Sequence, residues 1–182
     1  VRFAEAADLG EWLGQTFSAA QSVRADKLLD AATGLIQDYT EQTISQVEGE
    51  VITLDGEGRR RLLLPQIPVT AVASVDETVD GTTTTLVEDD DYTWTESGIL
   101  ARVDGSWPSE PRSVEVTYSH GFGTVPQSIV GICLAAAARV FSNPSSVRSQ
   151  AIDGYSVQFF GQGQSGVWLV ETELSVLDRY KP

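Results

Sequence analysis

The sequence predicts an α+β fold: a small helical core, an antiparallel β-rich segment inserted into it, and an extended C-terminal hairpin and arm. Three observations carry this reading. Apolar residues recur at three- and four-residue spacing near 18–39 and again near 126–142, the period of an amphipathic helix. Between them, residues 44–120 hold short runs rich in β-branched and aromatic residues, broken by Gly, Pro and Asp. After 147 a candidate hairpin leads into a Gly/Gln/Ser linker and an apolar tail. The expected division is therefore 1–43 with 121–147 as helical core, 44–120 as the β-rich insertion, and 148–182 as hairpin, linker and arm.

In chain order, residues 5–13 suit a short helix. The stronger helix follows, with Val23, Leu28, Leu29, Ala32, Leu35, Ile36 and Tyr39 on its apolar side. Ser18 is its expected N-cap, because a serine oxygen can accept an otherwise unpaired first-turn amide. The β-rich runs are "TISQVEGEVITL", "RRLLLP", "VTAVASV", "TTTTLV", "YTWT", "GILARV" and "SVEVTYS". Their spacing suits a compact antiparallel sheet or small barrel. Asp55-Gly56, Asp80-Gly81 and Asp104-Gly105 mark tight connections, since both residue types tolerate positive φ. The second helix carries Ile129, Val130, Cys133, Leu134, Ala137, Val140 and Phe141 on one side. Pro126 suits its first turn and Asn143-Pro144 its end. The alanines at 135–138 keep it slender, so it should pack against the helix near 18–39. Asp153-Gly154 then sits between candidate strands 149–152 and 155–160, a hairpin signal. A short helix led by Thr172 closes the chain.

Composition narrows the function classes. The chain has 182 residues, enough to bury a real core. Its net charge of −14 argues against specific nucleic-acid binding, which needs clustered Lys and Arg. Ten acidic residues face one basic residue, Arg102, between Asp76 and Glu110, so the excess sits in the insertion. No apolar run is long enough to span a bilayer, and the first residues lack the order of a secretory signal. The expectation is a soluble protein made in the cytoplasm, without a membrane partner. Cys133 is the only cysteine and suits a small core residue.

Each motif that suggests chemistry lacks what that chemistry requires. "GQGQSG" at 161–166 fits the letters of a dinucleotide fingerprint, but too few residues follow for the helix and second strand. "EDDDYTWTESG" at 88–98, counted from Asp89, has Trp94 and Leu100 where a calcium loop needs its sixth-position Gly and twelfth-position Glu. No metal-ligand spacing occurs, so neither metal nor cofactor is expected. His120, the only histidine, stands in "YSHGFGTVPQ" with no sequence-adjacent nucleophile and no orienting acid. The stretch reads as an architectural joint in which Gly121, Gly123 and Pro126 turn a strand into a helix, and no catalytic residue is assigned. "RRR" at 59–61 is the only basic run. If it lies on a strand, Arg59 and Arg61 share a face and Arg60 takes the other. The three suit an acidic protein partner, including another copy of this chain.

Taken in order, "AADLGEWLGQTFS", "ADKLLDAATGLIQDYTEQ", "RLLLPQIPVTAVASV", "DYTW", "VTYSHGFGTVPQSI", "NPSSVRSQAIDGYSVQF" and "LDRYK" resemble the head-to-tail connector, or head completion, proteins of tailed bacteriophages. The resemblance implies a structural virion protein rather than an enzyme. It implies a ring, usually of twelve copies, under the portal, joining the DNA-filled head to the tail with duplex DNA passing through its centre. The implied partners are the portal protein, copies of the chain itself, and the next tail or stopper component. In such rings the C-terminal segment commonly reaches the portal, which makes Trp168, Leu169, Leu174, Leu177 and Tyr180 the candidate interface. Arg59, Arg60 and Arg61 are the candidates for pairing between subunits. Twelve copies at −14 gather about 170 negative charges, so an acidic or neutral lumen that repels DNA is expected. The alternative is a tail-associated or carbohydrate-binding β module presenting Tyr92, Trp94 and Trp107.

Overall fold

The computed structural model describes residues 1–143 and 166–182, together with the backbone of two strands at 149–152 and 155–158. The fold is α+β, and the chain divides into two compact units, Val1–Glu41 with Val125–Lys181, and Gln42–Thr124.

The first unit is helical. It contains α1 (Ala6–Leu13), α2 (Ala19–Thr40), α3 (Gln127–Ser142) and α4 (Glu171–Leu177), with a 3-10 turn at Asp178–Tyr180. Ser18 caps α2 through a reciprocal box: its hydroxyl accepts from the Gln21 amide, and the Gln21 side chain accepts from the Ser18 amide. The core face of α2 is Ala25, Leu29, Ala32, Thr33, Ile36 and Thr40. Val23 departs from the expected apolar face and is 58% exposed, because at 100° per residue it lies about 120° around the helix from Leu29. Small residues bring α2 and α3 close, and Cys133 approaches Thr33 Oγ1 at 3.7 Å and the Leu29 carbonyl at 3.8 Å. Burial pushes its thiol up to about 11, so Cys133 stays neutral in the core. Arg24 of α2 donates to the carbonyls of Val140 and Phe141, each at 3.1 Å. A cation thereby meets the negative end of α3.

The second unit is all β. β1 (Val47–Leu54), β7 (Val114–His120), β3 (Val69–Val79) and β4 (Thr82–Thr85) form one antiparallel sheet in that order. β2 (Arg61–Leu63), β6 (Ile99–Arg102) and β5 (Tyr92–Trp94) form a second sheet in that order. Residues of both sheets share one core, among them Leu62, Val75, Leu100, Trp107, Val116 and Tyr118. The expected single sheet or barrel is thus two sheets.

That arrangement redefines two of the three Asp-Gly steps. Asp80 and Gly81, with φ of 49° and 78°, turn the β3–β4 hairpin as expected. The strands flanking Asp55-Gly56 and Asp104-Gly105 belong to different sheets, so neither step closes a hairpin. Gly56 instead lies where a Cβ would collide with the Pro108 carbonyl, and its amide donates to the Glu110 carbonyl at 3.0 Å. Periodicity identifies a strand but not its partner, so a tight connection in the sequence does not reveal whether it closes a hairpin or links two sheets.

Two strands, β8 (Ser149–Ile152) and β9 (Tyr155–Gln158), pair antiparallel. The Asp153-Gly154 turn and most of the Gly/Gln/Ser linker, 161–165, lie outside the described residues. No helix among the described residues is long and apolar enough to cross a membrane.

Candidate functional site

Four places carry the residues singled out by the sequence. The first is the strand-to-helix joint. Gly121 follows β7 at φ +85°, and a Cβ there would stand 2.6 Å from the Ser45 carbonyl oxygen. The Gly121 amide donates to the Pro68 carbonyl at 2.9 Å, and the Phe122 amide to the Ile44 carbonyl at 2.8 Å. The backbone is therefore held on both sides in a conformation that only glycine adopts without strain. Gly123 needs no positive φ, and Pro126 occupies the N-cap of α3, accepting from the Ile129 amide at 2.9 Å. Gly121→Ala is expected to lower stability by about 1–3 kcal/mol, read as an earlier urea midpoint, with Gly123→Ala much milder.

His120 lies on the buried face of β7. The strand alternates, with Val114, Val116, Tyr118 and His120 inward, as period two requires. His120 Nε2 meets Glu50 Oε2 at 2.8 Å, and its ring lies 5.1 Å from the Tyr118 ring. Glu50 reaches it because β1 carries a bulge between Val47 and Glu50, where Gly49 takes φ +63°. Burial first, then the Glu50 carboxylate, push the Tyr118 phenol above the usual tyrosine range. The arrangement is a buried histidine held by a half-exposed carboxylate, with no nucleophile bonded to it among the described residues. Glu50 was not singled out by sequence, although an isolated glycine inside a strand pattern is the signal for such a bulge.

The C-terminal segment folds back on its own helical unit. Arg139, in the last turn of α3, makes a two-pronged pair with Glu173, Nη1 to Oε1 and Nη2 to Oε2, both at 2.8 Å. It also donates to the Trp168 carbonyl at 2.8 Å, with its guanidinium 5.7 Å from the Trp168 ring centre. The fork geometry of arginine makes this a specific clasp. Further along, Tyr39 donates to Asp178 at 2.7 Å and Lys181 lies 3.7 Å over the Tyr39 ring. Ser128 and Tyr180 bond at 2.9 Å. Leu177 is fully buried, so of the five candidate interface residues it is a core residue of its own unit. Trp168, Leu169, Leu174 and Tyr180 are half-buried and keep a solvent face.

The arginine run precedes and enters β2. Arg59 and Arg60 sit in the bend before the strand and only Arg61 within it, so strand alternation does not govern all three as expected. Arg60 is engaged in-chain, donating to the carbonyls of Arg102 at 3.0 Å and Val103 at 2.9 Å. The Arg59 guanidinium makes an exposed pair with Glu57 at 3.4 Å. Beside them runs a groove of about 690 Å³ that includes Leu54, Leu63 and Ile99. The aromatics of the sugar-binding alternative are largely spent in the core: Tyr92 is 2% and Trp107 1% exposed, and Trp94 donates to Glu88 at 2.7 Å. No group of three or more His, Cys, Asp or Glu among the described residues is placed to hold a metal ion.

The family model described as "Head completion protein" matches residues 7–181 of this chain. The chain belongs to that family. Head completion proteins are structural proteins. The fold is similar to solved structures at low identity. The neck of an empty GTA particle with C6 symmetry aligns at 17% identity and TM-score 0.64, covering 98% of this chain and 89% of that one. The neck of a native GTA particle with C12 symmetry aligns at 16% identity and TM-score 0.60, covering 96% and 86%. The virion of a native gene transfer agent particle aligns at 17% identity and TM-score 0.63, covering 98% and 89%. No curated protein matches the chain.

Proposed function

We propose that this head completion protein forms a ring of twelve copies under the portal, joins the DNA-filled head to the tail, and lets the duplex pass. The observation that carries the reading is the family match across residues 7–181. The likeness to a neck of C12 symmetry supports the copy number. Its place is the head–tail junction of the virion, between the portal and the next tail or stopper component. A net charge of −14 per copy favours a lumen that repels DNA rather than binding it. The surface of Trp168, Leu169, Leu174 and Tyr180 faces the portal in this reading. Leu177 and the Arg139–Glu173 clasp hold that surface in shape from beneath.

Co-sedimentation of the full chain with portal-bearing heads that lack a neck tests the proposal. Pelleting at about twelve copies per head supports it; a chain that stays in the supernatant refutes it. Leu169→Ser/Leu174→Ser leaves the buried Leu177 in place and is expected to unfold like the parent yet pellet at least about tenfold less, as loss of two apolar anchors implies. A variant that pellets equally well moves the portal contact elsewhere. The β-module reading gains nothing from the structure, because burial removes Tyr92 and Trp107 from stacking on a sugar.

A further inference from the structure

The three-stranded sheet has a basic edge and an acidic edge. β2 forms one edge and β5 the other, with β6 between them. Arg59 lies in the bend just before β2 and Arg61 opens the strand, and the run Glu88, Asp89, Asp90, Asp91 leads into β5. Both charged ends lie at the same end of the sheet, since Arg61 pairs with Ala101 and Tyr92 with the adjoining Arg102. Two inter-strand spacings, about 10 Å, separate the edges. Charge of opposite sign thus sits on opposite sides of one rigid element.

Each edge also carries an exposed apolar residue. Leu63 is 69% exposed on the basic edge and Val87 is 55% exposed on the acidic one. The bonds from the Arg102 amide to the Arg60 carbonyl and from the Leu64 amide to the Gly98 carbonyl set the ladder's alternation. The backbone groups of Arg61 and Leu63 therefore point away from β6, as an open strand edge does. Two carboxylates stand in the groove beside β2, and both have in-chain partners. Asp55 accepts from the Arg112 amide at 2.7 Å, and Glu57 pairs with Arg59. That second pair is exposed on both sides and contributes little, so Arg59 can exchange it for another carboxylate.

We propose that the acidic turn of a second copy, Asp89 and Asp90, docks on Arg59 and Arg61 of this edge, with the second copy's Val87 seated on Leu63. The inference rests on the ring reading above and adds which surfaces meet. Because the two surfaces differ, the contact is head to tail, the kind that closes into a ring when the rotation per copy allows. It also supplies attraction where a chain of net charge −14 would otherwise repel its copies, and it weakens as salt rises.

Two charge variants test it in the full chain. The basic-edge variant is Arg59→Glu/Arg61→Glu. The acidic-edge variant is Asp89→Asn/Asp90→Lys, with Asn chosen because Asp89 holds φ +68°. Both spare Arg60, Glu88 and Asp91, which bond within the chain. Each alone is expected to load neckless heads at least about tenfold less than the parent. Their equimolar mixture is expected to recover loading, because an alternating ring restores an opposite-charge contact at every interface. Full loading by either variant alone, or no recovery in the mixture, overturns the contact.

A Leu63→Cys/Val87→Cys chain separates this proposal from the ring reading, with the native Cys133 buried and out of reach. Oxidation in concentrated solution and on heads is expected to join copies through 63 and 87. Loading without that bond overturns the contact and leaves the ring. The bond without loading upholds the contact and overturns the portal reading. Neither result overturns both.

Discussion

Trp107→Ala is expected to cost the β unit about 3–5 kcal/mol, read as a lower urea midpoint by linear extrapolation. The indole is 1% exposed and belongs to the core shared by both sheets. Its amide donates to the Arg59 carbonyl at 2.9 Å, and the Arg102 guanidinium lies 5.4 Å from the ring centre. The variant keeps that backbone bond, but removing the ring opens a cavity beneath the bend that presents Arg59 and takes away the Arg102 contact. Reduced ring assembly should accompany the lost stability. A midpoint unchanged within error would mean that the ring is not packed as described and would reopen the sugar-stacking alternative.

Leu177→Ala is expected to cost about 2–5 kcal/mol and to release the end of the chain. Leu177 is the fully buried side chain of α4, while Leu174 and Val176 are half-buried and Asp178 is exposed. Hydrogen exchange of amides at 171–180 checks this, with faster exchange expected in the variant while that of α2 changes less. Arg139→Lys should produce a weaker version of the same effect, because lysine keeps the charge but cannot span both Glu173 oxygens and the Trp168 carbonyl together. Equal exchange in parent and Leu177→Ala would show that the clasp alone holds the segment.

These two effects illustrate different degrees of legibility. The helices at Ala19–Thr40 and Gln127–Ser142 could be read from apolar spacing, and the α2 start from Ser18 with Gln21 three residues on. The burial of His120 could be read from the alternation through Val114, Val116 and Tyr118. Its partner could not, because Glu50 stands 70 residues away and meets it only through the register of β1 on β7 and the bulge at Gly49. Leu177 was visible as an apolar residue in need of cover. Whether that cover came from its own unit or from a neighbour was not.

Properties that depend on near neighbours in sequence were open to reading from the sequence alone: helix period, strand texture, the cap at Ser18, the Asp80-Gly81 turn, and the acidic bias of the insertion. The ordered motifs also sufficed to place the chain among head completion proteins, a placement that the match over 7–181 bears out. Tertiary structure alone decided which strands pair, why Asp55-Gly56 and Asp104-Gly105 are not hairpins, and where Arg139 and Leu177 hold the C-terminal segment. It also set the basic and acidic runs on opposite edges of one sheet. The reason is physical: backbone periodicity is dictated locally by sterics and side-chain shape, whereas strand partners and docking faces are chosen by burial summed over residues far apart in the chain.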